Sequence, residues 1–396
     1  MRNYSYKTPR PAILCLALAS IAVGVFRPFN IVSAQVLQPQ LEEKELHRLG
    51  PKPEAVNAVS GMIAAFDRYS LVALGEDHGL QELYDFLDTL VRTPAFADKV
   101  NDIVVECGNA RYQDVMDRYV AGGDVPPSEF QKIWRTSTQM PEITFDSPIY
   151  EHLFVTIREV NRGLSGNKQL RVLLGDPPID WSQVSVVEQA LPFLKDRDPH
   201  YARVVENEVL IKNRKALMIA GALHFQRTPD ALKSHPLYHP PVTDILEQKY
   251  PGRILRVIPH LGFPLEIDPD RGMERRLKAY MASPWLALVK GTWLGKTGKL
   301  EVPDFIIPGG LVTYLEDRWD AVLYLGPGDQ LTVTEVSPFF YASEQEYFRE
   351  KNRIAVILFG APLQAYEPHY ISNVTPGIYL RDVPSALGLP KGVQRR

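Results

Sequence analysis

The sequence predicts an α/β fold: a mainly parallel sheet flanked by helices, with an extra helical insertion and an irregular, partly β C-terminal extension. Three observations predict it. Short apolar runs of strand length recur between segments whose apolar residues repeat at helical spacing, the pattern of βαβ crossovers. Four of these runs end in an acidic residue or a histidine. After about residue 265 the rhythm gives way to Gly- and Pro-rich stretches.

In order along the chain, residues 55–69 read as a helix, with Val56, Val59, Met62, Ile63 and Phe66 near helical spacing. A buried strand follows at 71–75, then a helix over 80–90 whose Leu83, Phe86, Leu87 and Leu90 share a face. The next strand covers 103–107, and 109–120 is an amphipathic helix stopped by Gly122-Gly123. Pro126-Pro127-Ser128 begins a further helix to about Arg135. Ser147-Pro148 starts a long helix to about Asn161, with Ser as cap and Pro in the first helical position. Strand 170–175, helices over 184–194 and 199–212, and strands 216–221 and 254–258 complete the repeat. Beyond it, 285–289 and 321–325 are strand-like, and the second is expected to add an edge strand to the same sheet. Residues 354–359 carry the clearest remaining pattern near the C-terminus.

The first 34 residues have the form of a secretory signal peptide: basic Arg2, Lys7 and Arg10, an apolar stretch over 12–26, and Val32-Ser33-Ala34 as a cleavage site. The expected organisation is therefore signal peptide 1–34, linker 35–53, α/β domain 54–263 and C-terminal extension 264–396, in a protein exported to the periplasm or beyond. The apolar stretch falls short of the roughly 20 residues that span a bilayer, so no stable membrane span is expected after cleavage. Removing the four basic residues of the signal from 44 leaves 40 against 47 acidic ones, a formal charge of −7. That balance argues against nucleic acid or an anionic membrane as partner and leaves a small molecule or peptide as substrate. Cys107 is then the one cysteine left, and it reads as a small buried hydrophobe.

The chemistry lies at the strand ends. Run 71–75 leads into Glu76-Asp77-His78, run 103–105 into Glu106, run 170–175 into Asp176, and run 216–221 into Ala222-Leu223-His224. The carboxyl ends of parallel strands share one rim, where ligands bind in open α/β sheets. Two histidines with carboxylates suit a catalytic divalent ion, Zn, Mn or Co. In this reading His78, Glu106 and His224 hold the metal, Glu76 is the general base, and Asp176 orients a ligand. Gly75 and Gly221 let the backbone bend sharply into the cofactor-binding rim. The plain alternatives are that His78 and His224 satisfy backbone groups and that Asp176, before Pro177-Pro178, shapes a turn. Loops around 130–145 are expected to cover the site. Residues 291–297 imitate a phosphate-binding loop but are one residue short between the glycines and lead into no helix. Neither a Gly-x-Ser-x-Gly elbow nor a His-Glu-x-x-His helix is present.

Over roughly residues 70–225 the chain resembles the superfamily of ChaN-like haem-uptake lipoproteins, TraB and Tiki proteins, and erythromycin esterases. The resemblance rests on Leu74-Gly75-Glu76-Asp77-His78, closest to the ChaN-like form, on Glu106 after the second strand, and on Gly221-Ala222-Leu223-His224 as a second Gly-x-x-His. Tyr112, Asp117, Tyr119, Gly122, Glu129, Phe130 and Trp134 are similar to the ChaN helical region. The erythromycin esterases have one more residue between Glu and His, which argues against macrolide hydrolysis here. The resemblance implies an exported metal-dependent hydrolase or, alternatively, a haem- or iron-binding protein of the cell envelope without catalysis. For haem, Tyr112 and Tyr150 are the candidate axial ligands.

Overall fold

The computed structural model describes residues 48–362 apart from 141–143, 236–237, 263–271, 281, 283, 303–309, 335–339 and 341–342. The signal peptide expected at 1–34 lies outside the described residues, as does most of the linker.

Among the described residues, eight strands form one sheet in the order β1-β7-β10-β6-β2-β5-β3-β4. They are β1 (Ala55–Asn57), β2 (Leu71–Glu76), β3 (Asp102–Asn109), β4 (Arg171–Asp176), β5 (Ala216–Gly221), β6 (Ile254–Pro259), β7 (Trp285–Leu288) and β10 (Ala321–Tyr324). A short antiparallel pair, β8 (Leu300–Val302) and β9 (Leu311–Thr313), lies apart from that sheet. The six strands from β10 through β6, β2, β5 and β3 to β4 are parallel, and β7 runs antiparallel to both β10 and β1. This is the α/β architecture the sequence predicts.

Why these runs are continuously apolar follows from the two faces they cover. In β2, Val72 and Leu74 enter one core while Leu71 and Ala73 enter the other. In β5, Leu217 and Ile219 face the first core, and Ala216, Met218 and Ala220 the second. A strand buried on both sides shows no polar alternation. The first core is closed by the helices Ala58–Ala65, Gln81–Arg92, Gln113–Val120 and Pro148–Arg162, and the second by Arg197–Val205 and Val242–Lys249. Gln81–Arg92 buries Leu83, Phe86, Leu87 and Leu90, the stripe read from sequence. Burial of each such side chain stabilises the fold by about 1.5–3 kcal/mol.

The structure departs from the expectation in four places. Ala55–Asn57 is a strand paired with β7, and the helix starts only at Ala58, where the Asn57 side chain accepts the Ser60 N–H at 3.1 Å. Ser147 does stand at a helix N-cap, yet its side chain makes no cap hydrogen bond. The helix expected over 199–212 is Arg197–Val205 followed by a π-helical turn, Glu206–Leu210. The 321–325 run is no edge strand: β10 lies between β6 and β7, because its side chains are buried on both faces. Part of the extension therefore completes the sheet, and its C-terminal pattern belongs to a 15-residue helix, Gln345–Phe359. No helix among the described residues is long and apolar enough to cross a membrane.

Candidate active site

Strands β2, β5, β3 and β4 are neighbours, so Glu76, Gly221 and Asp176, the last residues of their strands, stand beside Glu106, which lies where the register of β3 with β4 begins to shift. Glu106 is the centre. Its side chain is 2 % exposed, and donors surround it. Oε2 accepts the Gly221 N–H at 2.5 Å, and Oε1 accepts the Gln139 amide at 2.5 Å. His224 Nε2 lies 3.2 Å from Oε1, and His78 Nε2 lies 4.0 Å from Oε2. Burial alone would raise the carboxyl pKa, but the charges of His224 and His78 and the Gly221 N–H outweigh it. Glu106 is held well below the usual carboxylate range.

Each histidine is anchored through its other nitrogen. His78 Nδ1 donates to Glu76 at 2.6 Å, and the second Glu76 oxygen accepts the Tyr84 hydroxyl at 2.6 Å. His224 Nδ1 donates to Asp198 at 2.9 Å, and the same Asp198 oxygen accepts the Val242 N–H at 2.8 Å. Desolvation opposes the charged form of both rings. For His78 the charge and hydrogen bond of Glu76, with Glu106 and Asp77, prevail and push its pKa up to about 9. For His224 the carboxylates of Asp198 and Glu106 raise it well above the ordinary value. The rings keep 30 % and 17 % side-chain exposure, so the cluster is open to a ligand from solvent. Phe145 meets His78 edge-on at 5.3 Å, and Tyr201 meets His224 at 5.2 Å.

Ligand atoms of Glu76, His78 and Glu106 all lie within 4.8 Å of one another. Donors bound to one Zn-sized ion, each at about 2.1 Å, are separated by about 4 Å or less, so a small side-chain adjustment closes this set. Mixed imidazole and carboxylate donors suit Zn, Mn or Co. The partners Tyr84, Gln139 and Gly221 orient the carboxylates, as outer-shell groups do at metal centres. The gathered set shares His78 and Glu106 with the one expected from sequence and has Glu76 in place of His224, whose ring is committed to Asp198 and Glu106.

Asp176 is fully buried, and both its oxygens are engaged by Thr138, through the backbone N–H at 2.6 Å and the hydroxyl at 2.5 Å. Burial, opposed by Arg197 and Thr138, pushes its pKa up to about 7. Arg197 grips the same threonine, with Nε 2.7 Å from its hydroxyl and Nη2 2.6 Å from its carbonyl. Asp176 thus anchors the segment that lays Gln139 on Glu106; it does not present an open carboxylate to a ligand. The glycines act by space more than by bending. Gly221 has φ −48°, open to any residue, but a Cβ there would come within 3.0 Å of His78 Nε2 and 3.4 Å of Glu106. A Cβ on Gly75 would meet Ala222 Cα at 3.1 Å and the Trp319 ring at 3.2 Å. Tyr150 is buried, its hydroxyl accepting the Gly79 N–H at 3.2 Å, and Tyr112 is half-buried. Cys107 is buried, and burial raises its thiol pKa well above the ordinary value. Sequence reasoning missed Gln139, Asp198 and Tyr84, each carried into the cluster from a helix or loop with no local motif.

Fold and site together define a class: an α/β protein with a histidine–carboxylate cluster on the carboxyl rim of a mainly parallel sheet. No protein-family model matches the chain, and no curated protein matches it. Among solved structures, the chain is similar to a structural-genomics protein from Bacillus cereus at 13% identity and TM-score 0.45, covering 72% of this chain and 96% of that one. A succinoglycan biosynthesis protein aligns at 11% identity and TM-score 0.46, over 72% of this chain and 96% of its own. A point mutant of the erythromycin esterase EreC in its open conformation aligns at 15% identity and TM-score 0.43, over 67% and 92%.

Proposed function

We propose that the chain is an exported, divalent-metal-dependent hydrolase acting on an ester or amide of a small molecule or peptide. The observation that carries this reading is the convergence of Glu76, His78 and Glu106 within 4.8 Å, beside the His224–Asp198 couple. Those three residues would hold the ion. When bound, Mn, Co or Zn supplies Lewis-acid polarisation and lowers the pKa of water toward about 7.

The chain's own groups divide the remaining work. Glu106 is a weak base, because the Gly221 N–H, the Gln139 amide and His224 hold its charge and His78 lies close by. Glu76 accepts from His78 Nδ1 and the Tyr84 hydroxyl, one donor on each oxygen; in this reading it takes the proton of the attacking water, a role typically worth about 10²–10⁴ in rate. The water oxygen then bonds to the acyl carbon, and the bond to the leaving oxygen or nitrogen breaks. His224, kept protonated by Asp198 and Glu106, delivers the proton that the leaving atom needs. Phe145 packs against His78 and Gln139 holds Glu106, and together they orient the two side chains.

A chromogenic ester such as 4-nitrophenyl butyrate tests the reading. Hydrolysis by the purified chain should stop on chelation, return with Mn, Co or Zn, and fall at least about a hundredfold in His78→Ala. A rate indifferent to both the chelator and His78→Ala would contradict it.

A further inference from the structure

The turn that carries His78 is held from outside the strand–helix repeat. Residues 331–334 of the C-terminal extension lie against it, and Val333 forms an antiparallel bridge with Leu80. The Gln81 N–H donates to the Thr332 carbonyl at 2.9 Å, and the Thr334 N–H donates to the Gly79 carbonyl at 2.8 Å. The Thr334 hydroxyl donates to the Gln81 side-chain carbonyl. Leu331, 3 % exposed, joins the first core together with Leu80.

Glu82 closes this clasp. Its carboxylate oxygens accept the Thr332 N–H at 3.1 and 2.9 Å, and Oε1 also accepts the Thr332 hydroxyl at 2.7 Å. The residues it secures adjoin the metal set directly. Gly79 follows His78 and stands at φ +86°, a left-handed conformation that a side chain disfavours. Its N–H donates to the Tyr150 hydroxyl at 3.2 Å, and its carbonyl is held by Thr334, so the main chain after His78 is fixed at two successive peptide units. The helix Gln81–Arg92 begins with Leu80 as N-cap and no side-chain cap, so the Thr332 carbonyl takes one N–H that a helix start leaves unpaired.

We propose that Glu82 is a positioning residue for His78: by holding Thr332 it couples the docking of residues 331–334 to ion binding at Glu76, His78 and Glu106. The coupling rests on the metal reading of the site; the positioning of His78 does not. A ligand side chain has to be held to within about 0.5 Å, and loosening the groups that support it typically costs about 10–100-fold in metal affinity. The coupling is reciprocal, so whatever the clasp adds to ion affinity the ion adds to closure of the clasp.

Equilibrium dialysis of the metal-free chain against Zn, Mn or Co reads the affinity. Glu82→Ala should bind the ion at least about tenfold more weakly. Thr332→Val, which loses the hydroxyl and keeps the N–H, should fall between, and the double variant should be little worse than Glu82→Ala alone. Asp88→Ala is the control. It strips Arg92 and Thr156 of their partner on the same helix and touches no part of the clasp, so it should keep the wild-type affinity. In the other direction, the ion should slow hydrogen exchange at the Thr332 and Thr334 amides far more in the wild type than in Glu82→Ala. Should Glu82→Ala not fold, Thr332→Val carries the test.

Equal affinity in the wild type and Glu82→Ala overturns the proposal. So does an equal loss in Asp88→Ala, because a loosened helix would then account for both. If the wild type binds none of these ions, the coupling falls with the metal reading, and the positioning is judged on His78 itself. Acylation by diethyl pyrocarbonate, mapped by mass spectrometry, should run several-fold faster at His78 in Glu82→Ala, with the exposed His239 as unchanged reference. An unchanged rate at His78 overturns the positioning role as well.

Discussion

Replacing Glu106 with glutamine is expected to lower hydrolysis by at least about a thousandfold and to empty the site of metal. The carboxylate sits where three donors converge, the Gly221 N–H, the Gln139 amide and His224 Nε2, with His78 Nε2 4.0 Å away. A glutamine amide presents its own NH₂ to one half of that ring, so donor faces donor and a buried polar group goes unsatisfied. The loss of the carboxylate also removes one of the three groups that would hold the ion. Stability should fall by about 1–3 kcal/mol, the cost of an unmade buried hydrogen bond. Steady-state kinetics with the activated ester and thermal unfolding check the two effects. A variant retaining a tenth of the wild-type rate would remove Glu106 from the chemistry.

Lys351→Met should destabilise the fold by about 3–5 kcal/mol, the usual cost of stripping one partner from a buried ion pair. Lys351 and Asp146 are 1 % and 2 % exposed, so methionine fills the space but leaves a buried carboxylate without its cation. The double variant Lys351→Met, Asp146→Leu should recover much of the loss, since well-packed apolar residues can replace a buried pair at little cost. Urea unfolding of the single and double variants checks this, and a single-variant loss under about 1 kcal/mol would contradict it. The effect reaches the site. The helix bearing Lys351 also ties down the neighbouring loop, with Arg353 donating to the carbonyls of Trp181 and Val184 at 2.7 Å. Trp181 in turn donates to the Ser137 carbonyl at 3.0 Å, within the segment that places Gln139 on Glu106.

How much of this was legible in the sequence depends on range. The parallel strands β2 to β6 were, because burial on both faces leaves runs such as 71–75 and 216–221 with no polar interruption. Their meeting place was legible for the same reason: a parallel sheet puts successive strand ends on one rim, so Glu76, His78, Glu106 and His224 could be joined without contact information. The three-residue β1 was not legible, since its pairing with β7 lies more than 200 residues away and local spacing favoured helix. Nor was the helix Gln345–Phe359, whose first half is polar and whose burial is fixed by Asp146 and the 181–184 loop. Asp198, Gln139 and Tyr84 enter the cluster from three separate elements, and nothing local distinguishes them from surface residues. Asp176 shows the converse: a strand-end carboxylate in the right place whose oxygens are spent on Thr138.

The metal content of the chain, purified without chelators and incubated with Mn, Co or Zn, bears most directly on the central claim. The account predicts close to one equivalent of one of these ions in the wild type and little in His78→Ala or Glu106→Gln. No retained metal, equal retention in all three proteins, or haem iron held in its place would contradict it.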